Sequence, residues 1–261
     1  MDWIRAGIGC IRAARIALDK VTTVKALNQK INIQTNADLI SNKAIINYLI
    51  ENNIKCTLHS EEESKFLKIN GGDPKVSVII DPLDNSHLFL RGERCFCSVA
   101  LMVLINGFPQ YSFVGDLSND DIYYCDERYA YKNGVKIRVP EKVDGRRLIL
   151  GWAPYYLRLK RLFTSLAPLT KTDYYLYNFG GQLQTAKIAT GNYDAYVEVR
   201  AETMNEFCAA VIVKRAGGII STLKGRKIAF NPVKKQTLLV ARSKAIHKEI
   251  LRPFKDKDYE N

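Results

Sequence analysis

The feature that most constrains this chain is an apolar run that ends in two aspartates. Residues 76–80 read Val-Ser-Val-Ile-Ile and are followed by Asp81, Pro82, Leu83 and Asp84. A β-branched apolar stretch of this length predicts a buried strand. We expect the strand to end at Asp81, because Pro82 lacks the N–H that a strand ladder needs. The turn then returns Asp84 to the side of Asp81 and frees the Leu83 carbonyl.

These oxygen donors form a candidate metal site. Carboxylate and carbonyl oxygens are the ligands that Mg²⁺ prefers, and an acidic cluster, residues 60–64 (Ser-Glu-Glu-Glu-Ser), lies upstream. The alternative is that Asp81 and Asp84 only cap a turn, since aspartate next to proline is common in turns. The loop by itself leaves both interpretations open.

Three segments appear in the order and spacing of one known family: Glu61, the loop 81–86 (Asp-Pro-Leu-Asp-Asn-Ser), and residues 194–218, which open with Asp-Ala-Tyr-Val-Glu and close with Ala-Gly-Gly. They resemble the inositol monophosphatase family, which carries Gly-Glu-Glu, then Asp-Pro-Ile/Leu-Asp-Gly-Thr/Ser, then Trp/Thr-Asp before a small-residue helix ending in Ala-Gly-Gly. Residues 130–139 and 238–242 are similar to the family's hairpin and last strand, so the resemblance covers nearly the whole chain.

The resemblance implies an α/β fold, a layered α-β-α-β-α sandwich. We expect a single unit over 1–261, with approximate lobes at 1–145 and 146–261. Hydrophobic periodicity is compatible with this fold, because it predicts an amphipathic helix over 3–20 and a second helix over 37–52. Short strands are predicted at residues 56–59, 75–80, 96–105, 111–114, 122–125 and 135–139. After residue 148 the pattern predicts strands at 148–152, 195–199, 218–222 and 237–241, with helices near 155–166, 181–190, 203–216 and 243–253.

Three positions depart from the family's pattern. Asn85 stands in place of a glycine. The family's Asp-x-x-Thr-x-x-Asp stretch is aligned with Asp38 to Ala44, so the second aspartate, which supports the catalytic hydroxyl in relatives, is expected to be missing. Asn205 replaces a metal-ligating aspartate. Unit charges about 4 Å apart interact by roughly 4 kcal/mol at an effective dielectric near 20, so we expect one strong metal site and a weakened second one.

The resemblance also implies roles for individual residues. The implied ligands of Mg²⁺ are Glu61, Asp81, the Leu83 carbonyl, Asp84 and Asn205. Glu61 and Ser86 are the implied catalytic residues, which orient the attacking water.

Six residues are candidates for contacting the substrate: Asn85, Ser86, Gly180, Gly181, Glu198 and Arg200. The Gly180-Gly181 pair opens a predicted helix whose N–H groups favour phosphate, and Glu198 matches a carboxylate that contacts sugar hydroxyls in relatives. The alternatives are that Ser86 caps a helix, that the glycine pair forms a turn, and that Glu198 and Arg200 are exposed strand positions.

The implied function is a Mg²⁺-dependent phosphomonoesterase acting on a small polyol or sugar phosphate, with inositol monophosphate or fructose 1,6-bisphosphate as the substrates of relatives. A second interpretation is a catalytically impaired relative that keeps a phosphate or metal pocket. Ala44, Asn85 and Asn205 favour this second interpretation.

The net charge of +12, from 39 Lys and Arg against 27 Asp and Glu, raises a third class, nucleic-acid binding. The basic residues are spread along the chain, and neither aromatic-interleaved basic runs nor helix-turn-helix or zinc-finger spacings occur. We therefore expect no specific nucleic-acid partner, and a basic surface that attracts phosphorylated anions.

Compartment and assembly are also expectations. No apolar run approaches the roughly 18 residues of a membrane span. Because arginines interrupt the amphipathic stretch 3–20, we expect a helix there and not a signal peptide. The six cysteines contain no Cys-x-x-Cys pair, and a reducing cytoplasm is the simplest compartment for them. We expect a homodimer, as is common among relatives.

Overall fold

The computed structural model describes residues 1–28, 33–141, 148–153, 159–170, 174–178, 180–202, 207–231 and 234–254. The part before residue 142 contains, in chain order, α1 (Trp3–Asp19), α2 (Asn36–Glu51), β1 (Cys56–Ser60), β2 (Leu67–Ile69), β3 (Val76–Asp84), α3 (Ser86–Phe89), β4 (Ser98–Ile105), β5 (Phe108–Asp116), β6 (Ile122–Cys125), β7 (Ala130–Lys132) and β8 (Val135–Ile137).

The later part contains β9 (Leu148–Ala153), α4 (Leu159–Thr170), β10 (Tyr174–Tyr177), α5 (Gln182–Lys187), β11 (Ala195–Glu202), α6 (Cys208–Arg215), β12 (Ile219–Ser221), β13 (Gln236–Ala241) and α7 (Lys244–Leu251). A 3₁₀ turn, Ile188–Thr190, continues α5, and another, Arg252–Phe254, follows α7.

The strands form two sheets. The first has eight strands in the order β2-β1-β3-β4-β5-β6-β7-β8, and the second has five in the order β10-β9-β11-β13-β12. In the first sheet only the β1–β3 pair is parallel among the described strand pairs. In the second sheet β10, β9 and β11 are parallel, and β13 runs antiparallel to both β11 and β12.

Three hydrophobic cores separate five layers. The first joins α1 and α2 to one face of the eight-stranded sheet. The second joins the other face of that sheet to α5, α6 and the five-stranded sheet. The third joins the outer face of the five-stranded sheet to α4 and α7. This arrangement confirms the predicted α-β-α-β-α sandwich.

The end of β3 differs from the prediction. The strand continues through Pro82 to Asp84, which pairs with Ser98 of β4, and a bulge interrupts the register between Asp81 and Asp84. A bulge leaves residues out of the ladder, so Pro82 is tolerated there without an N–H to donate. The prediction that the strand ends at Asp81 was therefore wrong, although both aspartates do lie at one end of the strand.

The hydroxyl of Ser41 in α2 donates to the Pro82 carbonyl at 2.6 Å, which ties this helix to the end of β3. Across the described ranges, no helix combines the length and the apolar character needed to cross a membrane.

Candidate functional site

Two aspartates at the end of β3 form the centre of the site. Asp81 and Asp84 are 3% and 7% exposed. Asp84 accepts hydrogen bonds from the Ser98 hydroxyl at 2.9 Å and from the Gln182 N–H at 2.7 Å. Burial raises the pKa of Asp84 above its ordinary value, and the negative charge of Glu61 adds to the rise, while the two hydrogen bonds oppose it. The end of β3 is thus a buried acidic position that a cation would stabilise.

Ser86 connects this loop to α2. Its hydroxyl donates to the Asp38 carboxylate and also lies 2.8 Å from the Leu83 carbonyl oxygen. The other oxygen of Asp38 accepts from the Thr35 N–H at 2.7 Å and from the Thr35 hydroxyl at 2.5 Å. Burial raises the pKa of Asp38, against the lowering effect of its hydrogen bonds to Ser86 and Thr35. Ser86 and Asp38 form a hydroxyl–carboxylate pair next to the two aspartates.

This pair corrects the prediction that the supporting aspartate is missing at Ala44. Asp38 itself accepts the hydrogen bond of Ser86. Thr35 and Asp38 together supply the Thr-x-x-Asp end of the family's stretch, so the alignment of Asp38 with its first aspartate was wrong by six positions. Thr35 caps α2, and Asp38 closes a capping box with it. The capping-box spacing was visible in the sequence and is the signal that identifies this register.

The acidic cluster lies near the aspartates, and its three glutamates differ in burial. Glu61 is exposed, whereas Glu62 and Glu63 are half-buried. Burial raises the pKa of Glu62 to about 7, assisted by the charges of Asp38, Glu61 and Glu63 and opposed by a hydrogen bond from Gln34. Glu63 accepts from the Asn42 amide at 2.8 Å.

The protein side chains supply only some of the ligands that a metal ion needs. In the ranges that the structure describes, no three His, Cys, Asp or Glu side chains are grouped to hold a metal ion. Asn205, the predicted ligand before α6, lies outside the described residues. Mg²⁺ is usually bound by one or two carboxylates together with water and phosphate oxygens, so Asp81, Asp84 and the Leu83 carbonyl fit this ion. The role of Glu61 stays a prediction.

Asn85 adopts a backbone conformation that glycine would supply at this position. Its φ is 65°, in the left-handed region, which Asn enters more readily than other non-glycine residues. Its side-chain amide donates to the carbonyl oxygens of Phe96 at 2.9 Å and Gly180 at 2.7 Å. These two bonds use both amide hydrogens, so the expected contact of Asn85 with a substrate does not come from its side-chain N–H groups.

Gly181 places the start of α5 against the aspartates. Its φ is +123°, and a Cβ there would lie 2.4 Å from Oδ2 of Asp84 and 2.5 Å from Nδ2 of Asn85. Only glycine allows the backbone to approach this closely. Gly180 and Gly181 are therefore brought to the site as expected, next to Asp84 and Asn85.

Glu198 is brought in by β11 and is 4% exposed, so the interpretation of it as an exposed strand position was wrong. Its carboxylate accepts from the Tyr196 hydroxyl at 3.2 Å, and that hydroxyl in turn accepts from the Gly181 N–H at 3.4 Å. This chain of bonds connects Glu198 to the start of α5. The backbone of Arg200 lies in β11, and its side chain lies outside the described part of the chain.

Comparison with known proteins agrees with this geometry. The model of the inositol monophosphatase family matches residues 2–259. The inositol-1-monophosphatase of Bacillus subtilis is 26% identical over 260 residues, which cover 97% of this chain and 93% of that protein. The putative Nus factor SuhB of Neisseria meningitidis serogroup B is 28% identical over 234 residues, covering 85% of this chain and 84% of that protein.

A solved structure extends the likeness to the fold. The Thermotoga maritima IMPase superposes with a TM-score of 0.82 at 21% identity, covering 98% of each chain. The family match spans the loop at the end of β3, the Ser86–Asp38 pair, the start of α5 and Glu198. The chain therefore belongs to the inositol monophosphatase family.

Proposed function

We propose that this protein is a Mg²⁺-dependent phosphomonoesterase acting on a small polyol or sugar phosphate. The observation that carries the proposal is the contact of the Ser86 hydroxyl with the buried Asp38 carboxylate, next to the buried Asp81 and Asp84. A hydroxyl–carboxylate pair orients water, and paired buried carboxylates attract a divalent cation. A phosphatase needs both.

The cation would be held by Asp81, Asp84 and the Leu83 carbonyl, with Glu61 and Asn205 as further predicted ligands. Bound Mg²⁺ would supply positive charge that makes a water more acidic and stabilises charge on phosphate oxygens. This ligand set is a proposal, and so is the number of ions it holds.

Ser86 would accept the proton of the attacking water. Because the Ser86 hydroxyl donates its hydrogen to Asp38, its oxygen is presented as an acceptor to a water on the opposite side. Asp38, whose pKa is raised by burial, is then the carboxylate that can receive the proton through Ser86. Glu61 is the second residue proposed to orient the water.

The remaining residues would bind the substrate. The backbone at Gly180 and Gly181 approaches the aspartates closely enough for its N–H groups to contact a phosphate. Glu198, held by Tyr196, would accept hydrogen bonds from the hydroxyls of a polyol. Inositol monophosphate and fructose 1,6-bisphosphate are the first substrates to test, with Arg200 as a further proposed contact.

The test is phosphate release from a panel of inositol, sugar and nucleotide phosphates with Mg²⁺ and with a chelator. We expect release from at least one polyol or sugar phosphate, dependent on Mg²⁺. Release that is equal with chelator, or absent from the whole panel over a wide range of Mg²⁺, would contradict the proposal.

A second candidate is a non-catalytic role of the kind carried by the relatives named Nus factor SuhB. Two observations favour it: several relatives carry that name, and Asn205 stands where the family has a metal-ligating aspartate. A macromolecular partner is therefore a candidate. The sequence had led us to expect only a small substrate and a second copy of the chain. An inactive wild-type protein that gains Mg²⁺-dependent activity on Asn205→Asp would favour this candidate.

We also propose a cytoplasmic location and a homodimer. Among the described residues no cysteine forms a disulfide, as expected in a reducing compartment. Sedimentation of the purified protein tests the dimer directly.

A further inference from the structure

A cavity of about 390 Å³ lies at the C-terminal end of α5. The lining side chains that matter here are Asp121, Tyr123, Lys132, Lys187, Asn192 and Tyr193. They come from the last strands of the eight-stranded sheet and from the segment between α5 and β11. None of them belongs to the candidate functional site.

The cavity is separate from that site. The site contacts Gln182, the first residue of α5, whereas Lys187 is the last. Asn192 and Tyr193 precede β11, and roughly 10 Å of strand, at about 3.3 Å per residue, separates Ala195 from Glu198. α5 therefore has one end at the aspartates and the other at the cavity.

Two acceptor groups in the cavity already accept hydrogen bonds. Asp121 accepts from Nζ of Lys132 at 2.7 Å on one oxygen and from the Asn133 amide at 2.8 Å on the other. The side-chain oxygen of Asn192 accepts from the Thr190 hydroxyl at 2.7 Å. A polyol would need vacant acceptors for its own hydroxyl hydrogens, and these side chains offer few.

The donors are not used up. Lys187 has three ammonium hydrogens, and in the described part of the chain its one ion-pair partner is Asp116, at 3.4 Å. The amide nitrogen of Asn192 donates to no side chain among the described residues. A cationic donor and an amide donor that face one cavity suit a ligand rich in acceptor oxygens, such as a phosphate.

Aromatic rings complete the cavity. Tyr177 of β10, which is exposed, and Tyr193, which is half-buried, line it. Tyr123 is 1% exposed, and Nζ of Lys132 lies 5.4 Å from the centre of its ring. Tyrosine faces stack on planar bases. The volume falls in the range of about 300–1,000 Å³ typical of small-molecule sites and exceeds what a phosphate ion needs.

We propose that this cavity is a second binding site, which takes a mononucleotide: the phosphate is held by Lys187 and Asn192, and the base lies against Tyr177 and Tyr193. The site is independent of the proposed phosphatase activity, because it shares no residue with the candidate functional site.

The test is calorimetric titration of the full chain with adenosine and uridine 5′-monophosphates, in chelator so that no divalent ion assists binding elsewhere. We expect a dissociation constant below about 1 mM, and weaker binding of the nucleosides and of inorganic phosphate. Lys187→Gln and Asn192→Asp should each weaken nucleotide binding by about tenfold or more. Lys248→Gln, an exposed lysine on α7, is the matched control and should bind as the wild type does.

Asn192→Asp guards against a folding artefact, because it is isosteric and exposed and keeps the oxygen that accepts from Thr190. Ser86→Ala separates the two sites and should bind the nucleotide unchanged. No binding to the wild-type protein, equal binding by all the variants, or a loss confined to Ser86→Ala would each overturn the proposal.

Discussion

Asp38 is the residue whose side chain does most to define the candidate site. It accepts from Ser86 and Thr35, and it is 2% exposed. The two carboxylate oxygens thus serve different purposes: one orients the hydroxyl beside the metal loop, and the other caps α2. Substitutions that keep the cap but remove the charge separate these purposes.

Asp38→Asn keeps the size of the side chain and one acceptor oxygen but removes the negative charge. We expect phosphate release to fall by about a hundredfold or more, as for loss of a general acid–base group, with an unchanged Mg²⁺ dependence, since Asp38 is not a proposed ligand. Steady-state kinetics across a Mg²⁺ titration measures both. Asp120→Asn, an exposed aspartate, is the control, and equal activity of the two variants would contradict the role of Asp38.

Asn85 gives a second prediction at this scale. Asn85→Gly removes the bonds to Phe96 and Gly180 but keeps the left-handed backbone, so we expect a loss of about 1–2 kcal/mol in the free energy of unfolding. Asn85→Ala removes the same bonds and adds about 1–2 kcal/mol of left-handed strain. Denaturant unfolding should rank wild type, Gly and Ala in that order. A glycine variant as stable as the wild type would show that the amide bonds contribute nothing.

Individual residues show which contacts of the candidate site a sequence can and cannot predict. Asp81, Asp84 and Ser86 were predicted because their loop has a distinctive local pattern. The partner of Ser86 was missed, because Asp38 is 48 residues away and only the helix register decides which carboxylate reaches the hydroxyl.

At the scale of elements, the position of the start of α5 determines how closely its backbone approaches the aspartates at the end of β3. The Gln182 N–H donates to Asp84, and the Gly181 backbone lies against the same carboxylate. α5 has only six residues, and a helix of that length has little stability of its own. Its contacts with the surrounding residues therefore hold it at this position.

Gly181→Ala should therefore damage the site more than the fold. The added Cβ would strike Asp84 and Asn85, so we expect half-maximal activity at a higher Mg²⁺ concentration and at least about a tenfold loss of activity, as misplacement of reacting groups causes. Gly107→Ala is the matched control, because Gly107 also has positive φ but nothing lies within 4 Å of its added Cβ. Similar activity losses in both variants would attribute the effect to backbone strain alone.

The elements themselves were predicted unevenly. Helix α1 follows clear apolar periodicity, whereas α2 buries the polar residues Asp38, Ser41 and Asn42 and exposes Leu39 and Ile50. β6 was predicted at its observed limits, Ile122–Cys125. β2 and β10 were not predicted, because each is a short edge strand with no alternating pattern of its own. Their pairing with a neighbour, which is a long-range property, defines them as strands.

For the whole molecule, a buried ion pair joins the segment after the first sheet to the second sheet. Arg242 pairs with Asp194, and both are less than 10% exposed. Arg242 also donates to the Pro140 carbonyl at 3.1 Å, and Asp194 accepts from the Ile149 N–H at 2.6 Å. The pair thus connects the end of β13, the start of β9 and the segment that follows β8 to one another.

Breaking this pair should destabilise the protein strongly. Arg242→Met and Asp194→Asn should each cost about 3–5 kcal/mol, because each removes the partner of a buried polar group. The double variant should cost less than the sum by at least about 1 kcal/mol. Chemical unfolding of the four proteins provides the cycle, and strict additivity would show that the two side chains do not stabilise each other.

The five-layer arrangement itself was predicted through the family resemblance and not from the pattern of helices and strands. Alternating elements after residue 148 are compatible with several α/β folds. The central layer of α5 and α6 is what brings the aspartates of β3 and Glu198 of β11 to one site, and this placement depends on contacts between residues about a hundred positions apart.

The central claim is that the end of β3 and the Ser86–Asp38 pair form a Mg²⁺-dependent phosphatase site. The most direct test compares phosphate release by the wild-type protein and Asp81→Asn over one Mg²⁺ titration, on the substrate that the wild type hydrolyses best. Wild-type activity should rise with Mg²⁺ and saturate, and Asp81→Asn should need more Mg²⁺ or stay inactive. Coincident titration curves for the two proteins, or wild-type activity independent of Mg²⁺, would contradict it.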